Sequence, residues 1–137
     1  MEPPAAPGEW RVCGEYRALN RATVHDRHPL PYLQDFTAQL HGCTIFSKLD
    51  LARAFHQIPV EPADVPKTAV TTPFGLFEAA RMPCGLCNAA QTCQRFLDEV
   101  LRGLPACSAY VDDILDASAT PEEHATHLHQ VLQRFLD

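Results

Sequence analysis

Apolar and polar positions along this chain follow two different periods. Residues 43–51, CTIFSKLDL, alternate: Ile45, Ser47 and Leu49 fall on one side and Phe46, Lys48 and Asp50 on the other, which predicts a strand. Residues 106–118, ACSAYVDDILDAS, alternate on either side of a turn at Val111, Asp112 and Asp113. Two β-type runs in AVTTPFGLFEAAR flank Pro73, Phe74 and Gly75 and predict a hairpin. Elsewhere the period is helical. In residues 28–42, Leu33, Phe36 and Leu40 share a face and Gly42 ends a short helix, and ARAFHQI reads as a helical turn. Residues 88–103 line up Ala90, Cys93, Phe96, Leu97, Val100 and Leu101, with Gly103 placed to cap. Residues 119–137 offer Thr120 as N-cap, Pro121 in the first helical position and Glu123 three residues after the cap. Leu128, Val131, Leu132 and Phe135 form the expected buried stripe of that helix. Helices combined with antiparallel strands predict an α+β fold.

Composition narrows the class. With 137 residues and 46% hydrophobic content, the chain suits a single folded domain over residues 10–137, behind a Pro/Ala-rich lead (1–9) read as disordered. No apolar run approaches the roughly 20 residues of a membrane-spanning helix. MEPPAAPGEW lacks the basic start and apolar segment of a secretory signal, so an intracellular protein is expected. Six cysteines in that setting are read as thiols. The net charge of −6 is uneven, because residues 98–137 hold eight acidic side chains against two arginines. Residues 10–27 carry Arg11, Arg17, Arg21 and Arg27 against Glu15 and Asp26, a modest patch suited to phosphate. Nucleic-acid binding by so acidic a chain is expected to be weak and salt-sensitive.

Adjacent carboxylates at Asp112 and Asp113 repel, so they either sit in water as a turn or gather a cation. If the turn lies beside the end of the strand bearing Asp50, three carboxylates converge as hard divalent ions require. Spacing alone leaves both readings open. Cys84-Gly85-Leu86-Cys87 precedes a helix, the position of a redox-active thiol pair. With Cys93 or with His124, His127 and His129 it is also a candidate zinc site, against the plainer account of a solvated helix face.

FSKLDLARAFHQIPV, PKTAVTTPFGLFE, RMPCGLCNAAQTCQRFLDEVLRGL and YVDDIL, in this order, resemble the reverse transcriptase of gypsy-type long-terminal-repeat retrotransposons. WRVCGEYRALN upstream and SATPEEHATHLHQVLQRF downstream fit the same pattern, so the resemblance covers residues 10–135. It implies part of a right-hand polymerase: fingers and palm, antiparallel palm strands with packing helices, and no thumb. It also implies an RNA-directed DNA polymerase using Mg²⁺ or Mn²⁺, an RNA or DNA template with primer, and deoxynucleoside triphosphates. By this resemblance Asp50, Asp112 and Asp113 are the catalytic metal ligands. Phe55 falls where an aromatic ring lies under the incoming sugar and excludes a 2′-hydroxyl; otherwise it would be an ordinary core aromatic. Arg11 matches a residue that pairs with the nucleotide's phosphates, against a solvated surface arginine. Gly85 matches a close approach to nucleotide and template, against a simple loop glycine, and Tyr110 and Val111 complete the nucleotide-binding set.

Several positions depart from that pattern. Cys84 and Cys93 stand where aromatics are expected, Cys87 where a basic residue is, and Cys107, Ser108 and Ala109 where bulky apolar residues are. Replacing a buried Phe by a small residue costs about 3–5 kcal/mol. Asp116 takes a normally apolar strand position, where an unpaired buried carboxylate costs several kcal/mol. These changes suggest a worn or domesticated copy. Polymerisation also needs the primer held against the metals, so little or no activity is expected of the chain alone. A domesticated fragment that binds nucleic acid or protein is the alternative, and a thiol redox protein a remote one.

Overall fold

The structure, a computed structural model, describes residues 13–136; the expected lead, Arg11 and the side chains of Leu33 and Ala38 lie outside the described residues. The described helices are α1 (Arg17–Ala22), α2 (Leu33–Gln39), α3 (Ala54–Gln57), α4 (Ala89–Val100) and α5 (Pro121–Leu136). The described strands are β1 (Ile45–Asp50), β2 (Val70–Thr72), β3 (Gly75–Phe77), β4 (Cys107–Tyr110) and β5 (Asp113–Ser118). Chain contacts divide these residues into two compact units. One is the described part of Met1–Val24 with Phe55–Ala89; the other is His25–Ala54 with the described part of Ala90–Asp137.

The first unit holds α1, a 3₁₀ turn at Val65–Thr68 and the antiparallel β2–β3 hairpin. Tyr16, Thr68 and Met82 are buried in it, and the Tyr16 hydroxyl donates to the Thr68 carbonyl at 3.2 Å. The Thr68 hydroxyl in turn accepts the Ala79 N–H at 2.7 Å, fixing the chain where it leaves the hairpin. On β3 and its turn, Phe74, Leu76 and Phe77 are all exposed. Hydrophobic patterning did not announce α1, because none of its six residues is buried. Local polar bonds hold it instead: Glu15 accepts the Arg17 N–H at 2.9 Å, and Thr23 donates to the Leu19 carbonyl at 2.8 Å.

The second unit is built on an antiparallel sheet in the order β1-β5-β4. Its two faces follow from the strand period of two. Ile45, Ser47 and Leu49 of β1 point to the covered face, while Phe46, Lys48 and Asp50 are exposed. The covered side receives Cys93, Gln94 and Leu97 from α4 and Leu101 just after it, all buried. Leu97 and Ile114 are fully buried; side chains of this size contribute about 1.5–3 kcal/mol each when removed from water. Phe96 was expected on the α4 core face but is 42% exposed, and the polar Gln94 takes a buried place instead. The α5 stripe is also rotated from expectation: Leu132 is 54% exposed, whereas His124 and Val131 are buried. His124, His127, Leu128, Val131 and Phe135 keep the spacing of one helical face, and two imidazoles replace apolar groups at its start. Thr120 caps α5 as its position predicts, its hydroxyl accepting the Glu123 N–H at 3.3 Å.

Candidate functional site

Antiparallel pairing decides where the carboxylates meet. Asp50, the last residue of β1, lies directly opposite Asp113, the first residue of β5, and Asp113 is also paired with Tyr110 of β4. Directly opposed residues share a face, with Cβ atoms about 4.5–5.5 Å apart. Asp112 occupies the two-residue turn between β4 and β5. Its carbonyl accepts the Leu51 N–H at 3.0 Å, tying the β1 exit to the turn. Asp50 and the distant pair Asp112 and Asp113 therefore reach one end of one sheet, all within the second unit.

Lys48 responds to all three. It precedes Asp50 by two residues on the same strand face, and its ammonium lies 3.0 Å from an Asp113 oxygen. Its pKa is held above the ordinary lysine value, first by the hydrogen bond to Asp113 and then by the charges of Asp113, Asp50 and Asp112. The pair is largely exposed, so it adds little stability. It does set one cation against the acidic strand end. Among the described residues, no group of three or more His, Cys, Asp or Glu side chains is arranged as a metal-ligand set. Oxygen donors of this kind are the type hard divalent ions take, but as placed here Asp113 is held by Lys48.

Two backbone conformations in this end of the unit are unusual. Val111 has φ +58° and Arg53, in the loop after β1, has φ +55°. Positive φ is strained for a β-branched residue, and such strain persists only where the surroundings impose it. Here α4 imposes it. Gln94 accepts the Val111 N–H at 2.9 Å and donates to the Ala109 carbonyl at 3.1 Å and to Asp98 at 2.9 Å. The Cys93 thiol donates to the Val111 carbonyl at 2.8 Å. Burial, and secondarily the Asp112 charge, push that thiol up to about 11, so it stays a protonated donor. Helix α4 is braced in turn by Arg95 against Asp26 and by His28 against Asp98 at 2.8 Å.

Sequence reasoning missed Gln94. Its signal was present: it sits between Cys93 and Leu97 on the buried stripe, where an amide must find partners. Of the other expected residues, Tyr110 is 41% exposed on the Asp113 face and Val111 is half-buried in the turn. Phe55 is half-buried on α3 and belongs to the first unit, as does Gly85. Gly85 has φ +98°, which restricts side chains, although a Cβ there would meet nothing nearer than 3.5 Å. Its carbonyl accepts Asn20 Nδ2 at 2.8 Å, and Asn20 Oδ1 accepts the Cys87 N–H at 2.9 Å, so one side chain holds the loop that carries the two cysteines.

The family model described as reverse transcriptase (RNA-dependent DNA polymerase) matches residues 2–137. The chain belongs to the reverse transcriptase family. It is 38% identical over 131 residues to the retrovirus-related Pol polyprotein from transposon 297 of Drosophila melanogaster, covering 94% of this chain and 12% of that protein. To the gypsy Pol polyprotein of the same fly it is 36% identical over 129 residues, covering 93% and 12%. Among solved structures, the foamy viral protease-reverse transcriptase dRH in complex with ds DNA superposes with a TM-score of 0.88. That match is at 26% identity and covers 97% of this chain and 24% of the other. The chain thus spans about an eighth of the length of these fly relatives, 12% in each case. The fold is part of a reverse transcriptase, with mixed helices and antiparallel strands as the sequence predicts, and gypsy is among its relatives. No described helix is long and apolar enough to cross a membrane.

Proposed function

We propose that this chain carries the catalytic carboxylates of an RNA-directed DNA polymerase, with Asp50, Asp112 and Asp113 as ligands for Mg²⁺ or Mn²⁺. The observation that supports this most is the pairing of Asp50 with Asp113, closed by the hydrogen bond from Leu51 N–H to Asp112. Bound there, a pair of divalent ions would activate the primer hydroxyl and neutralise the leaving phosphate. The protein's own part is to present three oxygen donors from a rigid strand end and a clamped turn. Lys48 balances their charge before a divalent ion arrives.

The substrates follow from the family: a template with primer, and deoxynucleoside triphosphates. Foamy virus reverse transcriptase, whose fold this chain shares, has been solved with double-stranded DNA, which supports a nucleic-acid partner. Phe55 selects against a 2′-hydroxyl, Arg11 pairs with the triphosphate, Gly85 permits close backbone approach, and Tyr110 and Val111 border the nucleotide.

Single-turnover primer extension on an RNA template, with protein in excess and Mg²⁺ or Mn²⁺ present, tests the reading and registers slow incorporation. Any incorporation is expected to be slow and to be abolished by Asp112→Asn; incorporation indifferent to that substitution contradicts the reading. Phe55→Val is expected to raise ribonucleotide use relative to deoxynucleotide use, and an unchanged ratio removes Phe55 from the proposal.

A further inference from the structure

The acidic end of the β1–β5 pair already faces a cation of the chain's own. Lys48 stands two residues before Asp50 on the exposed face of β1, directly opposite Leu115 of β5. Asp113 lies two residues before Leu115 and so is the diagonal neighbour of Lys48 on that face. A long side chain spans such a diagonal, and the Lys48 ammonium reaches to 3.0 Å from Asp113 Oδ1. Asp50 and Asp112 act on Lys48 through their charges alone.

As a surface contact this pair contributes little to stability, because solvent screens it. Its weight at an ion-binding centre is larger. Carboxylate sites owe their affinity for hard divalent ions to the charge they collect and to the oxygens they leave open. An ammonium bonded to one carboxylate and coupled to the other two subtracts from both. The two side chains are 64% and 42% exposed, so an ion from solvent can reach the pair and open it.

We propose that Lys48 is an internal competitor for divalent ions at this centre: its ammonium occupies Asp113 in the ion-free chain and has to give up that oxygen before the third carboxylate can act as a ligand. The inference rests on the reading of Asp50, Asp112 and Asp113 as ion ligands, and it concerns how that site is regulated. It accounts for three acids meeting at one strand end without forming a metal-ligand set among the described residues. Ion binding is then an exchange of one cation for another, with Asp113 as the exchanging ligand and position 48 setting the affinity.

The test is a Mn²⁺ titration by electron paramagnetic resonance of the wild-type chain, Lys48→Gln, Lys48→Arg and Asp112→Asn, with amide NMR spectra to establish that each variant is folded. Lys48→Gln removes the charge at an exposed position and is expected to bind Mn²⁺ about fivefold to tenfold more tightly, since a charge a few ångströms away changes binding by such a factor even near solvent. Lys48→Arg keeps the charge and is expected to bind no more tightly than wild type. In the wild-type chain, the Lys48 side-chain NMR signal is expected to shift as Mg²⁺ saturates. Unchanged or weaker binding by Lys48→Gln, equal tightening in Lys48→Arg, or a Lys48 signal indifferent to Mg²⁺ overturns the inference; if Asp112→Asn still abolishes binding, the carboxylate centre survives it. No saturable binding by wild type or by Lys48→Gln overturns the centre and the inference together.

Discussion

Gln94 and Asp116 are both fully buried polar side chains, and they have opposite consequences. Gln94 is satisfied: it occupies the Val111 N–H and the Ala109 carbonyl, on either side of Tyr110. Gln94→Leu leaves both groups without a partner, and each unsatisfied buried group costs about 1–3 kcal/mol. A matching drop in denaturation free energy is expected, and an unchanged midpoint would show that the turn needs no clamp. Asp116 has no side-chain partner within hydrogen-bond reach. Burial raises its pKa above the ordinary value of 3.8, with His124 and His127 opposing the rise. The folded state thus holds this proton more tightly than the unfolded state, which favours folding at pH below 3.8 and loses that advantage as pH rises through the raised value. Asp116→Asn is therefore expected to stabilise the chain at neutral pH, by a margin that shrinks on acidification. Denaturation at several pH values checks it; a margin constant with pH would contradict it. The carboxylate positions themselves were read from the sequence through family resemblance. The Gln94 clamp was not, because hydrophobic patterning treats a polar residue inside an apolar stripe as an interruption.

At the scale of elements, helices and strands with strong periodicity were legible. Strand β1 and helices α4 and α5 have the expected bounds to within a few residues, because each must turn an apolar face to the same core. Errors fell where polar side chains take core places, as with His124 and His127, and where local hydrogen bonds replace burial, as in α1. The cap of α5 is separable from its packing. Thr120→Ala is expected to cost about 1 kcal/mol, whereas truncating the fully buried Leu97 of α4 to Ala is expected to cost about 2–5 kcal/mol. Chemical denaturation of both variants tests the ranking, and a larger loss from the cap would show that the α4 contact with the sheet is not the main support.

For the whole molecule, local patterning could not pair β1 with β5, since alternation names faces but not partners. The family resemblance grouped Asp50 with Asp112 and Asp113 without pairing the strands, and the register places Asp50 against Asp113. The net charge of −6 predicts that the chain alone holds a template weakly, since it offers few cations to the phosphates. The central proposal is that Asp50, Asp112 and Asp113 hold divalent ions at the end of the β1–β5 pair. Mn²⁺ titration by electron paramagnetic resonance, on the wild-type chain and on Asp50→Asn and Asp112→Asn, tests it most directly. Saturable Mn²⁺ binding that either substitution weakens severely is expected; no binding, or binding that survives both substitutions, would contradict the proposed centre.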